Sequence, residues 1–267
     1  MHFLCIMGHL NYKELGEGQA VVILHGLLGM LDNWQTFSKA LSASYKVYSV
    51  DQRNHGRSFH SPEFNYKILA EDLVTFLDEL ELKQVYLIGH SMGGKAVMQF
   101  MMDYPQRTKK AVIVDITPRG TTGSHESIFE ALLSLDLKKV QSRKEVQQQL
   151  TEFGFELSTI LLLMKNLSRQ KEGGYVWKAN IQGLYDNYKN IVAGVSSDQV
   201  IEDEILFVKG SRSQYIRDED KLEIESLFPN FQIEEIKDAG HWIHTDKPEN
   251  LLSLVNHFFN PDKTTKI

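Results

Sequence analysis

The feature that most constrains this chain is a recurrence of short, continuous apolar runs separated by stretches with helical spacing. The runs fall at Ala20–Leu24, 47–50, 85–88, 111–114 and 205–208, with a more alternating one at Phe231–Ile236. A run that is apolar at every position suits a strand covered on both faces, as in a parallel sheet. Between the runs, Trp34, Phe37 and Leu41, and then Leu69, Leu73, Phe76, Leu77 and Leu80, recur at the spacing that puts apolar residues on one side of a helix. The alternation predicts an α/β fold with a mostly parallel central sheet and helices on both faces. Reactive groups in such a fold gather at the carboxyl ends of the strands.

The rhythm breaks between Ile116 and Asp203, where no strand-like run is found and helix formers such as 142–153 dominate. Residues 119–197 are therefore expected to form a helical lid, or cap, inserted into a core domain made of 1–118 and 198–267. Its apolar residues, among them Ile128, Phe129, Leu132, Phe153, Ile160, Leu161 and Met164, exceed what an isolated surface helix exposes. Two readings of them stand: a cover packed over the active end of the sheet, or the core of an ordinary helical subdomain.

Composition removes several function classes. The chain has 29 Lys plus Arg against 35 Asp plus Glu, a formal net charge of −6, which speaks against a nucleic-acid binder. Its 42% hydrophobic and 24% charged residues are ordinary for a soluble globular protein. The single cysteine, Cys5, allows neither an intrachain disulfide nor a site built from several thiolates. The apolar patch in residues 1–7 is too short for a signal peptide, and apolar stretches such as 160–164 fall far short of the roughly 20 residues that span a bilayer. A soluble, cytoplasmic protein with no membrane span is expected.

The chemistry is concentrated in Gly89-His90-Ser91-Met92-Gly93, placed between an apolar run and a helical stripe of Val97, Phe100, Met101 and Tyr104. This is the strand, turn, helix setting of a G-x-S-x-G nucleophile elbow, in which only small residues beside the serine let strand and helix approach closely. A serine hydroxyl needs a base to take its proton. Of the ten histidines, His241 follows the last strand-like run and comes last in chain order, as the Ser, acid, His order of this arrangement requires. His90 is expected to pack or cap locally. His2, His9, His60, His125 and His257 are given solvated or structural roles. His241, His244 and Asp246 have a weak metal-like spacing that no further cluster supports.

Further blocks occur in order along the chain: His25-Gly26-Leu27-Leu28-Gly29, 51–58 (DQRNHGRS), 89–95 (GHSMGGK), Asp115-Ile116-Thr117-Pro118 and Ala239-Gly240-His241-Trp242. With them the chain resembles the α/β-hydrolase superfamily, and within it the small bacterial YbfF-type serine esterases. The resemblance implies Ser91 as nucleophile, His241 as general base, and an oxyanion hole formed by the backbone N–H groups of Leu27 and Met92. It also implies that the acid follows the strand before the next-to-last one, at Asp115, while Ser213 stands where many relatives carry an aspartate and contacts the histidine. Asp218, Asp220 and Asp238 remain rival acids, and Asp51 is expected to organise the turn at 53–58.

The activity so implied is hydrolysis of a small-molecule carboxylic ester or acyl thioester through an acyl-enzyme, with no metal or organic cofactor. A serine at the elbow speaks against chemistry that needs a carboxylate nucleophile. Three alternatives on the same scaffold are a lyase, a carbon–carbon hydrolase and an acyltransferase, and a fourth is a non-catalytic small-molecule receptor. The Leu, Ile and Phe content of the insertion favours apolar acyl groups. Lys95, Arg53 and Arg119 are either cations for an anionic part of the substrate or ordinary structural cations.

Overall fold

The structure, a computed structural model, describes residues 8–122 and 125–260. Cys5, His2 and the apolar patch of residues 1–7 lie outside the described residues. A sheet of seven strands runs through the molecule: β1 (Tyr12–Leu15), β2 (Ala20–Leu24), β3 (Lys46–Val50), β4 (Val85–His90), β5 (Thr108–Val114), β8 (Ile205–Gly210) and β9 (Phe231–Ile236). Their order across the sheet is β1-β3-β2-β4-β5-β8-β9, with β1 antiparallel to β3 and every other pairing parallel.

Two-sided burial explains the continuous apolar runs. In β2, Val21 and Ile23 join one core with Trp34, Phe37, Leu251 and Val255, while Val22 and Leu24 join the other with Leu73, Val97 and Phe100. The first face is covered by α1 (Gln35–Leu41) and the helix Pro248–Phe259, the second by α2 (Tyr66–Glu79) and α3 (Met92–Asp103). Strand β1 has no apolar run because three of its four residues are exposed at the sheet edge.

Between β5 and β8 the chain forms α4 (Glu126–Ser134), α5 (Arg143–Glu152), α6 (Leu157–Lys165), α7 (Ile181–Asp186) and α8 (Tyr188–Val192). The expectation that no strand interrupts this segment is corrected: β6 (Leu167–Arg169) and β7 (Tyr175–Trp177) pair as an antiparallel hairpin. Strands of three residues are too short to leave a periodic signal. The apolar residues of the insertion divide between roles. Phe129, Leu132, Ile160 and Met164 are buried in its packing, Phe153 and Leu161 are exposed, and Ile128 lines a cavity beside Ser91.

Candidate active site

Ser91 sits between β4 and α3 with φ 52° and ψ −119°, a left-handed backbone that a residue with a Cβ adopts only under constraint. Its amide donates to the Val114 carbonyl at 3.0 Å, and its carbonyl accepts from the amides of Gly94 and Lys95. Glycine is required on both sides of the turn. A Cβ on Gly89 would stand 2.4 Å from the Gly93 carbonyl oxygen, and one on Gly93 2.4 Å from that of Leu24.

The loop 25–29 after β2 lies against this turn, for a Cβ on Gly26 would come within 3.2 Å of the Ser91 Cβ. Two buried histidines fasten it. His25 donates from Nδ1 to the Gly26 carbonyl at 2.8 Å and accepts at Nε2 from the Gln52 amide at 3.0 Å. His55 donates from Nδ1 to the Arg53 carbonyl at 2.9 Å and accepts at Nε2 from the Leu28 amide at 3.2 Å. Burial lowers His25 to about 4 and His55 to about 3, so both are neutral, as a ring with one donor and one acceptor nitrogen must be. From the insertion, Asn166 donates to the Leu28 carbonyl at 2.6 Å, and the Asn180 amide donates to the Asn54 carbonyl at 2.9 Å. Leu27, held in this loop, lines the same cavities as Ser91. Met92 opens α3, so its N–H is among the first four amides that a helix leaves without an internal partner.

Asp115 follows β5 with φ 54° and no exposed surface. His241 donates from Nδ1 to Asp115 Oδ2 at 2.7 Å, and the Gly210 amide donates to Oδ1 at 3.3 Å. Ser213, expected on the histidine, is corrected: its hydroxyl donates to Asp115 Oδ2. Strand β8 lies beside β5, so the turn that follows β8 delivers Ser213 to the end of β5. The face of the His241 ring is covered instead by Tyr215, stacked at a centroid distance of 4.0 Å.

His90 donates from Nε2 to the His241 carbonyl at 2.9 Å, so the elbow residue read as local packing also positions the loop of the histidine. The rival acids are engaged elsewhere. Asp220 pairs with Arg119 at 2.6 Å and caps the Arg217 amide, while Asp218 and Asp238 are exposed. Asp51 accepts from the amides of Leu31 and Arg57 and organises the neighbouring turn. Arg53 is buried in a two-point pair with Asp72. Among the described residues no three His, Cys, Asp or Glu side chains converge on a metal position. His244 stacks on Trp34 at 4.2 Å, and Asp246 accepts from the Gly240 amide. Among the same residues, no helix is long and apolar enough to cross a membrane.

Three cavities meet at the site. One of about 180 Å³ is bounded by Ser91, His241 and the insertion's Ile128, Leu162 and Leu163. One of about 360 Å³ lies on the outer side of His241 against Arg119, Arg212 and Arg217. The third, about 30 Å³, runs from Ser91 to Lys95. His125, given only a solvated or structural role from sequence, lines the first and third. Burial lowers it to about 4, and Tyr188 meets its Nδ1 at 3.3 Å. Nothing in the local sequence marks His125 or Tyr215, because both reach the site from loops.

Residues 19–248 match the alpha/beta hydrolase fold family. The chain is 35% identical over 254 residues to the sn-1-specific diacylglycerol lipase ABHD11 of Danio rerio, covering 92% of this chain and 80% of that one. It is 32% identical over 241 residues to the esterase YbfF of Escherichia coli strain K12, covering 90% and 92%. A solved marine microorganism esterase superposes with a TM-score of 0.92 at 36% identity, over 94% of this chain and all of that one. The strand order, the elbow at the end of β4 and these matches carry one conclusion: the chain belongs to the α/β hydrolase fold family.

Proposed function

We propose that the protein is a cytoplasmic serine esterase that cleaves small-molecule carboxylic esters, and acyl thioesters by the same route, with Ser91, His241 and Asp115 as its triad. The observation that carries the reading is the 2.7 Å bond from His241 Nδ1 to Oδ2 of a fully buried Asp115, beside a serine held on a strained turn in the same cavity. With Nδ1 donating, Nε2 is left to accept the Ser91 proton. Ser91 Oγ then bonds to the ester carbonyl carbon, and the oxygen gains negative charge before the N–H groups of Leu27 and Met92. Those donors are set in advance by the His25 and His55 rings and by the start of α3, so little reorganisation accompanies the reaction. His241 returns its proton to the departing alcohol, water attacks the acyl-enzyme by the same exchange, and the acid leaves. Residues 119–197 act as the cap that closes the cavity over Ser91, and the relatives named as esterases and lipases support this reaction class.

The experiment is turnover of p-nitrophenyl esters together with fluorophosphonate labelling. The expected result is stoichiometric loss of activity with the label on Ser91. Label on another residue, or full labelling with undiminished turnover, contradicts the reading.

A further inference from the structure

Lys95 is a charged side chain in a place where charge is costly. It is 1% exposed, and its amide donates to the Ser91 carbonyl, so it stands one helical turn past the serine on α3. Helical side chains lean toward the helix N-terminus, which directs the long Lys95 stem back toward Ser91. Its Nζ donates to the Ala193 carbonyl at 2.6 Å and lies 3.5 Å from that of Val192, with the Tyr66 ring centroid 5.8 Å away. Among the described residues no carboxylate pairs with it; Arg119 and Glu223 act on it only at longer range. A buried ammonium held by neutral carbonyls keeps its net charge in a medium that screens poorly, whereas buried charges ordinarily meet an opposite one.

The cavity that Lys95 lines begins at Ser91, and its volume of about 30 Å³ admits one small terminal group. No other lining side chain supplies charge there. Burial keeps His125 neutral by lowering it to about 4, and raises the Tyr66 phenol. We propose that this cavity receives the acyl end of the substrate and that Lys95 pairs with a carboxylate there, so that the preferred ester is a half-ester of a short dicarboxylic acid. The small volume limits the acyl group to a short chain ending in a charge-assisted hydrogen bond to Lys95, for which a succinyl group is the probe. The apolar cavity beside Ile128, Leu162 and Leu163 is then left to the alcohol portion, which reverses the expectation of an apolar acyl group. This rests on the esterase reading above.

The test compares monoethyl succinate with ethyl 4-methylpentanoate, which replaces the carboxylate by a neutral isopropyl group of similar size, by ethanol release at pH 7. The expected result is kcat/KM on the order of tenfold or more in favour of the half-ester, and a fall of that ratio by a similar factor in Lys95→Met. Burial and Arg119 push the Lys95 ammonium down to about 8, with Glu223 opposing. In the parent enzyme, KM for the half-ester should accordingly rise above pH 8 while that for the neutral ester does not follow. This profile decides the matter if the variant fails to fold. The inference is overturned if the parent prefers the isopropyl ester, if the two pH profiles coincide, or if Lys95→Met slows both esters equally, which marks a residue that only holds the insertion through Val192 and Ala193. Failure to cleave these esters and p-nitrophenyl esters alike overturns the esterase reading itself, and the inference with it.

Discussion

Ser213 donates a hydrogen bond from its hydroxyl to Asp115 Oδ2, the carboxylate oxygen that also accepts from His241 Nδ1. In the proposed triad the serine therefore acts on the acid, and Asp115 carries the charge that would steady a protonated imidazole. Asp115→Asn should reduce kcat roughly 10⁴-fold at neutral pH, because an amide favours the wrong tautomer of His241 and supplies no charge. Ser213→Ala removes one hydrogen bond to a charged group, worth about 1.5–3 kcal/mol, and should cost about 10- to 100-fold. Asp218→Asn, Asp220→Asn and Asp238→Asn should stay within about tenfold of the parent. Measuring kcat for all five on one ester, with circular dichroism as a folding control, checks the order; equal losses in Asp115→Asn and Asp238→Asn would refute it.

Ser91→Ala should lower ester turnover on the order of 10⁶-fold if the three side chains act as a unit, with thermal stability close to that of the parent. Turnover within tenfold of the parent, in protein free of other esterases, would remove Ser91 from the mechanism.

Gly93→Ala places a methyl group 2.4 Å from the Leu24 carbonyl oxygen and 2.6 Å from that of His25. Both are backbone atoms at the root of the loop that carries Leu27, so the strain cannot be relieved by turning a side chain. A destabilisation of about 1–3 kcal/mol, read as a lower urea midpoint, should accompany loss of activity. An unchanged midpoint with full activity would show that the turn yields more readily than its packing implies.

Acid should unfold this protein through its histidines. Burial lowers His25 to about 4 and His55 and His244 to about 3, against roughly 6.5 in an unfolded chain. Between pH 6.5 and the folded values, the unfolded chain takes up protons that the folded chain refuses. The stability is thus complete above about pH 6.5 and declines as pH falls, by up to about 1.4 kcal/mol per pH unit for each such site. Urea midpoints at pH 7.5, 6 and 5 should decrease in that order, and a flat series would contradict the assignment of neutral rings.

The sheet was legible because burial on both faces leaves unbroken apolar runs, of which Ala20–Leu24 is the clearest. Strand β1 was not, since its Tyr-Lys-Glu-Leu segment spends its polar side chains on water at the edge. Ser91 and His241 could be proposed from spacing and chain order. Asp115 required a family resemblance, because which strand end brings a carboxylate to the histidine depends on sheet order, and that order is not written in any local pattern. The partner of Ser213 was misread for a related reason: Asp115 and His241 are adjacent in space, and only coordinates separate them. His125, Asn166 and Tyr215 come from loops and the insertion, where neither helical nor strand periodicity points to a site.

The bond from Asn166 to the Leu28 carbonyl has a bearing on how such enzymes diversify. It runs from the segment proposed as the cap to the loop whose Leu27 N–H is proposed to face the developing oxyanion. A chimaera that took residues 119–197 from a relative would inherit a core with this tether cut, unless the donor segment offered an N–H at the same point. If the insertion is the cap proposed above, core and insertion are in this respect a matched pair rather than exchangeable modules, and a change of substrate range made through the insertion would carry a change of rate with it.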